Sequence, residues 1–169
     1  NQADATYMLG VLAYRVEKHE LAVELITRAI TIRPDFTEAY YNLGNTQKAL
    51  GQVTNAVTSY QKVLAINPNH AETLNNLGTI LLEQGKSDDA ILNFQQAIKL
   101  EPAFLNAHNN LGITLKENGD LAAAVDIYRR TLKIKPDYAA AHNNLGNALK
   151  DQGDLKGAIA SCNRAIEIS

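Results

Sequence analysis

A chain of 169 residues is long enough for one domain with a sizeable core, and we predict a single domain over residues 1–169. Its 16 basic and 18 acidic residues leave a formal net charge of −2, so no excess positive charge is available for nucleic acid or an acidic membrane surface. The chain has no apolar run long enough to span a bilayer and no signal-peptide pattern at its start. A cytoplasmic location is therefore expected, although an upstream targeting segment is left open because the chain does not begin with Met.

Prolines and glycines repeat along the chain with one fixed period. The prolines are 34 residues apart, at Pro34, Pro68, Pro102 and Pro136. Two glycine columns keep the same period, Gly10, Gly44, Gly78, Gly112 and Gly146 in the first and Gly51, Gly85, Gly119 and Gly153 in the second. This spacing predicts five repeats, over residues 1–34, 35–68, 69–102, 103–136 and 137–169.

Within each repeat the apolar spacing predicts two helices joined by a turn. In the fourth repeat the apolar stripe of the first helix is His108, Leu111, Gly112 and Leu115. Gly119 is placed to end this helix with a positive φ, and Asp120 is placed to cap the second. The second helix has its own apolar side, made of Ala124, Val125, Tyr128 and Leu132, and Pro136 ends it. Since one helix pair cannot bury these faces alone, neighbouring pairs are expected to stack into an all-α solenoid.

These residues resemble the tetratricopeptide repeat, in which a large residue, Leu-Gly, a second large residue, Ala, an aromatic residue and Pro recur. The second repeat shows the pattern as Tyr40, Leu43, Gly44, Ala56, Tyr60 and Pro68, and the third as Leu74, Leu77, Gly78, Leu81, Ala90, Phe94 and Pro102. The chain departs from it at Thr6, at His108 and His142, and at Cys162. The resemblance implies a right-handed α-solenoid whose first helices line a concave groove.

No sequence motif points to catalysis. The chain has no Gly-rich phosphate loop, HExxH, CxxC or GxSxG, and its four histidines lie in separate repeats. His108 and His142, in the twice-occurring stretch AHNNLG, fall in a column that the family fills with a buried residue, so we interpret them as packing histidines. Cys162 is expected to lie in the core. We therefore expect no enzyme activity, no metal and no cofactor in this chain.

An asparagine column is the strongest functional signal in the sequence. It consists of Asn42, Asn76, Asn110 and Asn144, and we call it the amide column. Asn is a poor helix former, so its recurrence on a face opposite the apolar stripe needs a reason. One reason is duplication, or contacts between neighbouring helices. The other is binding, because a carboxamide can pair with both groups of an extended peptide backbone. Under the second reading Asn45 and Asn147 join the site.

The same motifs, such as YNLGN around Asn42, are similar to the arrays that precede the catalytic region of O-GlcNAc transferases. That resemblance implies a protein or peptide ligand. The face carries acidic residues, at Glu38, Glu72, Glu83, Glu117 and Asp151, and its lysines lie towards one edge, at Lys48, Lys116 and Lys150. A C-terminal carboxylate ligand is therefore disfavoured, and a neutral to mildly basic extended segment is expected.

Both ends of the chain carry apolar helix faces. The first repeat has Tyr7, Met8, Val11 and Tyr14 where the others carry amides, and the last helix carries Ile159, Ala165, Ile166 and Ile168. We interpret both ends as cuts in a longer array, with self-association as the alternative for the first. Three hypotheses follow. The chain is a peptide-binding module, the substrate-recognition arm of an O-GlcNAc transferase-like enzyme, or a scaffold for homo-oligomerisation.

Overall fold

The computed structural model describes residues 1–168, which form ten α-helices and no strand. The first helix of each repeat is α1 (Gln2–Arg15), α3 (Thr37–Ala49), α5 (Ala71–Glu83), α7 (Leu105–Glu117) or α9 (Ala139–Asp151). The second helix is α2 (His19–Ile32), α4 (Val53–Ile66), α6 (Ser87–Leu100), α8 (Leu121–Ile134) or α10 (Leu155–Ile168). The predicted helix-turn-helix unit is thus present five times. No helix within these residues is both long and apolar enough to cross a membrane.

The chain divides into two compact units, residues 1–73 and residues 74–169. In the first, α1 packs on α2, α2 on α3 and α3 on α4 around a core of Ala13, Ala22, Ile26, Ile30, Phe36, Ala39 and Leu43. In the second, α6 to α10 pack in chain order, with Phe94, Leu111, Val125, Tyr128, Leu145 and Leu149 among the core residues. The single domain over residues 1–169 and its exact repeat boundaries stay predictions.

The second helices end where the prolines predict. The residue before each proline is extended, with φ between −125° and −133°, at Arg33, Asn67, Glu101 and Lys135. A helical conformation is disfavoured there because the proline ring crowds the preceding residue. The predicted cap of α8 is also confirmed, since Oδ1 of Asp120 accepts the backbone N–H of Ala123 at 3.0 Å.

The turns inside the repeats use a left-handed residue. The glycines of the second column have φ values of +72°, +75°, +85° and +88°, at Gly51, Gly85, Gly119 and Gly153. Glycine adopts this conformation without the steric cost that a Cβ brings. In the first repeat the equivalent position is Glu17, with φ +60°, so this turn carries backbone strain that the others avoid.

The first glycine column brings the two helices of each repeat together. A Cβ on Gly112 would lie 2.5 Å from Cε1 of Tyr128, and one on Gly44 or Gly78 would lie 2.6 Å from the ring of Tyr60 or Phe94. These glycines therefore allow the two helices of a repeat to approach closely. The expectation that Cys162 lies in the core is wrong, because this side chain is only half-buried. Within residues 1–168 no helix packs on the outer side of α10 to cover it.

Glu17→Gly is expected to raise the free energy of unfolding by about 0.5–1 kcal/mol. The substitution removes left-handed strain of about 1–2 kcal/mol, part of which is offset by the greater freedom of glycine in the unfolded chain. Urea denaturation measures the change. Gly119→Ala is the matched control and should lose stability, because it introduces a Cβ at φ +85°. Equal stability of Glu17→Gly and the original chain would contradict the strain.

Gly112→Ala is expected to lower the free energy of unfolding by about 1–3 kcal/mol, and Gly112→Leu by more. At an open helical site the change to Ala would instead stabilise by about 1 kcal/mol through helix propensity. The sign of the change therefore tests whether the ring of Tyr128 occupies the space beside Gly112. Thermal and urea unfolding give this sign, and a more stable Ala variant would refute the packing.

Candidate functional site

The first helices place the amide column on half-buried positions. Asn42 lies on α3 in the first unit, and Asn76, Asn110 and Asn144 lie on α5, α7 and α9 in the second. Each of these asparagines directly precedes a leucine, so all four occupy the same position relative to the apolar stripe of their helix. The side chains are therefore held at the edge between the core and the solvent.

The amides hydrogen-bond to the preceding repeat. Nδ2 of Asn110 donates to Oδ1 of Asn75 at 2.9 Å, and Nδ2 of Asn144 donates to Oδ1 of Asn109 at 2.7 Å. In the first unit Nδ2 of Asn42 donates to the hydroxyl of Tyr7. In all three cases the partner lies 35 residues earlier, one repeat plus one residue. These asparagines therefore make the contacts between neighbouring helices that the sequence left as one of its alternatives.

The carboxamide oxygens of three of these residues remain available. Within residues 1–168 Oδ1 of Asn42, Asn110 and Asn144 accepts no hydrogen bond, and none of these oxygens is sealed from solvent. Because Nδ2 is tied to the preceding repeat, the rotation of each amide is restricted and its oxygen has a defined direction. Asn76 differs, since its Oδ1 lies 3.5 Å from Nδ2 of Asn75.

Asn45 and Asn147 occupy different surroundings. Oδ1 of Asn45 accepts the hydroxyl of Tyr60 at 2.7 Å, so this amide is turned towards the second helix of its own repeat. Asn147 lines an open groove between α9 and α10, together with Lys150, Leu155 and other residues. The sequence did not reveal the Tyr60 contact, although a tyrosine 15 residues after an asparagine was its signal.

Tyr128 lacks the partner that Tyr60 has. The residue equivalent to Asn45 is Ile113, and the buried Tyr128 hydroxyl makes no hydrogen bond within residues 1–168. Burial, with a further contribution from the charge of Glu117, raises the pKa of Tyr128 to about 12. Burial also raises the pKa of Tyr7, against the hydrogen bond with Asn42 and together with the charge of Glu38.

The two histidines of the AHNNLG stretches bind backbone carbonyls. Nε2 of His108 donates to the carbonyl oxygen of Pro102 at 2.9 Å, and Nε2 of His142 does the same to Pro136. His108 is only 4% exposed, which confirms its interpretation as a packing histidine. In the part of the chain that the structure describes, no three His, Cys, Asp or Glu side chains are grouped as metal ligands.

The residues predicted to form an apolar surface on the first repeat differ in their exposure. Tyr7 is half-buried, with its ring centroid 4.7 Å from that of Phe36, and Val11 is also half-buried. Tyr14 is exposed at the end of α1 beside His19. Met8 is 55% exposed. Two leucines that the sequence analysis did not predict are exposed to a similar extent, Leu9 at 56% and Leu12 at 52%.

An ion pair also joins two residues that lie 35 positions apart, as the amide hydrogen bonds do. Nζ of Lys116 on α7 lies 3.2 Å from Oδ2 of Asp151 on α9, again 35 residues apart. Nζ of Lys150 also lies 3.9 Å from Oδ1 of Asp151, and the exposed Glu117 lies beside Lys116, so the two lysines are balanced by two carboxylates. This part of the second unit therefore presents amide oxygens in a setting with no net charge.

Protein-family comparisons agree with this repeat geometry. Family models described as Tetratricopeptide repeat match residues 3–36, residues 35–103, and residues 75–139 with 115–169. The last of them spans more than half of the chain. The chain belongs to the tetratricopeptide repeat (TPR) family. The narrower likeness to O-GlcNAc transferase arrays stays a prediction, and none of the curated proteins matches the chain.

Several solved structures share the fold. A crystal structure of MamA is 24% identical with a TM-score of 0.85, covering 94% of this chain and 93% of that chain. The pilF protein of Pseudomonas aeruginosa is 21% identical with a TM-score of 0.87, covering 99% and 77%. YrrB, described as a TPR protein with an unusual peptide-binding site, is 22% identical with a TM-score of 0.78, covering 97% and 84%. These likenesses confirm the predicted all-α solenoid class.

Tyr60→Phe and Tyr128→Phe are expected to have opposite effects on stability. Tyr60→Phe removes the 2.7 Å hydrogen bond to Asn45 and should cost about 0.5–1.5 kcal/mol. Tyr128→Phe removes a buried hydroxyl without a partner and should be neutral or stabilising. Urea denaturation of both variants at neutral pH makes the comparison, and a larger loss for Tyr128→Phe would contradict it.

Tyr128→Phe is also expected to change how the free energy of unfolding depends on pH in alkaline solution. Because Tyr128 has a pKa of about 12 in the folded chain against an ordinary value of 10.0, the chain keeps its full stability below pH 10 and loses stability as the pH rises towards 12. Tyr128→Phe should therefore show a shallower loss of stability across this window. An identical slope in the two proteins would exclude the raised pKa.

Proposed function

We propose that this chain is a non-enzymatic protein-interaction module, and that it binds an extended peptide segment of a partner protein along its first helices. The observation that carries the proposal is the pair of directed carboxamide oxygens of Asn110 and Asn144. Each is free to accept a backbone N–H, which makes binding tolerant of the ligand's sequence. Asn42 would play the same part in the first unit.

The dimensions of the second unit suit an extended ligand. Packed helices lie about 8–10 Å apart, and an extended chain advances about 3.3 Å per residue. Oxygens of successive first helices would therefore meet N–H groups about three residues apart. The side chains of such a ligand would make few contacts with the protein. Each TPR would therefore contribute one backbone contact and little selectivity for the ligand's side chains.

Charge favours a neutral to mildly basic segment. Lys116 is paired with Asp151, so it offers little attraction to an acidic ligand, and the exposed Glu117 would repel one. The net charge of −2 acts in the same direction at longer range. The similarity in fold to YrrB, described as having a peptide-binding site, supports the class of ligand without extending its identity to this chain.

Two further functions stay proposals. The motif resemblance favours a substrate-recognition arm of an O-GlcNAc transferase-like glycosyltransferase, which a catalytic domain in the same polypeptide would establish. Exposed apolar side chains favour homo-oligomerisation, because Met8, Leu9 and Leu12 on α1 and Ile159 and Ile166 on α10 are all more than half exposed. Molar mass in solution at increasing protein concentration tests this second candidate. We also propose a cytoplasmic location.

The decisive test compares two variants that break the same hydrogen bonds. Asn110→Ala with Asn144→Ala removes the acceptor oxygens, whereas Asn75→Ala with Asn109→Ala removes their partners and, in addition, the 3.5 Å contact between Asn75 and Asn76. A peptide selected from a random displayed library on the original chain serves as the probe, with its affinity measured by calorimetry. The first variant should bind it about 2- to 12-fold more weakly for each lost hydrogen bond.

The second variant controls for stability, because it loses the same two contacts between repeats. It should unfold at a similarly lowered denaturant concentration and yet keep most of its affinity for the peptide. Equal affinity losses in the two variants would mean that the asparagines support the fold alone. Failure to select any peptide would reject the proposed function itself.

A further inference from the structure

One column of the second helices changes size along the chain. It faces the glycine of the first helix and contains Ile26, Tyr60, Phe94, Tyr128 and Cys162. In the three middle repeats an aromatic ring fills the space beside the glycine. In the first repeat Ile26 is fully buried but shorter, and the residue equivalent to Asn45 is Val11.

A cavity lies beside this smaller residue. It is entirely within the first unit and is lined by Val11, Tyr14, Ile26, Asn42, Asn45 and Thr46. Its volume holds about one water-sized group. In the second repeat the hydroxyl of Tyr60 reaches Asn45, whereas the equivalent pair here, Ile26 and Val11, has no ring to bridge the gap.

The polar groups around the cavity are mostly occupied. Oγ1 of Thr46 donates to the backbone oxygen of Asn42 at 2.7 Å, and Oδ1 of Asn45 accepts from Tyr60. Nδ2 of Asn42 is bound to Tyr7, which leaves Oδ1 of Asn42 as an acceptor. A water molecule held in a protein interior needs two to four partners, so this lining suits a methyl group better than water.

We propose that this cavity is a side-chain subsite for a small apolar residue, alanine in size, of the bound extended peptide. The backbone N–H near that residue would be held by Oδ1 of Asn42. The inference rests on the proposed function and adds selectivity to it, because the other contacts of the amide column address the backbone alone. Larger side chains such as leucine exceed the space between Val11 and Ile26.

The test uses the whole chain and a series of capped pentapeptides, acetyl-Thr-Ser-X-Ser-Thr-amide with X as Gly, Ala or Leu. Affinities come from NMR titrations that follow the methyl signals of Val11 and Ile26. The Ala peptide should bind about fourfold more tightly than the Gly peptide, which corresponds to burial of one methyl group. The Leu peptide should bind no more tightly than the Ala peptide.

Two variants fill the cavity from different sides. Val11→Ile adds one methyl group, and Ile26→Phe inserts the ring that the third repeat carries at this position. In either folded variant the Ala-to-Gly preference should fall to near one. Val16→Ile, the same substitution at an exposed site on the same end of the chain, should keep the fourfold preference.

An equal affinity of the Gly and Ala peptides for the original chain would overturn the subsite, as would a preference that survives Val11→Ile. The proposed function fails separately. If Asn42→Ala weakens all three peptides equally while no Ala preference exists, backbone binding stands and the subsite falls. If none of the three peptides binds the original chain, both proposals fail for this unit.

Discussion

The architecture depends on one close contact, the glycine of each first helix against the large side chain of the second. Gly112 leaves no room for a Cβ beside the ring of Tyr128, and the same holds for Gly44 beside Tyr60. This contact sets the separation of the helix pair, and the pair in turn presents an apolar edge that only a neighbouring helix can bury. Where the large side chain is smaller, as at Ile26, a cavity remains beside it.

Polar side chains join neighbouring repeats, and the two residues of each joined pair lie 35 positions apart in the sequence. These pairs are Asn110 with Asn75, Asn144 with Asn109, and Lys116 with Asp151. One end of the Asn110 and Asn144 carboxamides holds the preceding repeat while the oxygen remains open to solvent, so under the proposed function the same side chains would serve both stability and recognition. An alanine substitution that ignored this double role would confuse loss of fold with loss of binding.

Sequence reasoning located the amide column but not the way in which its atoms are used. The period of 34 residues identified the asparagines as equivalent, yet their partners lie one residue beyond the period, where the column changes from Tyr7 to Asn75 and Asn109. Asn45 was grouped with the amide column by its face and is turned towards Tyr60. Such pairings depend on how one helix is rotated against the next. The repeat period gives no information about that rotation.

The sequence by itself determined the fold class, the helix order, the turns and the family, because prolines, glycines and apolar periodicity act locally and recur at a fixed spacing. It also identified His108 as a packing residue. Only the tertiary structure decided that Cys162 is half-buried, that the Tyr128 hydroxyl has no partner, and that a cavity adjoins Ile26. The physical reason is that burial and hydrogen bonding at these positions depend on which side chains the neighbouring helices bring within a few ångströms, and that is a property of packing.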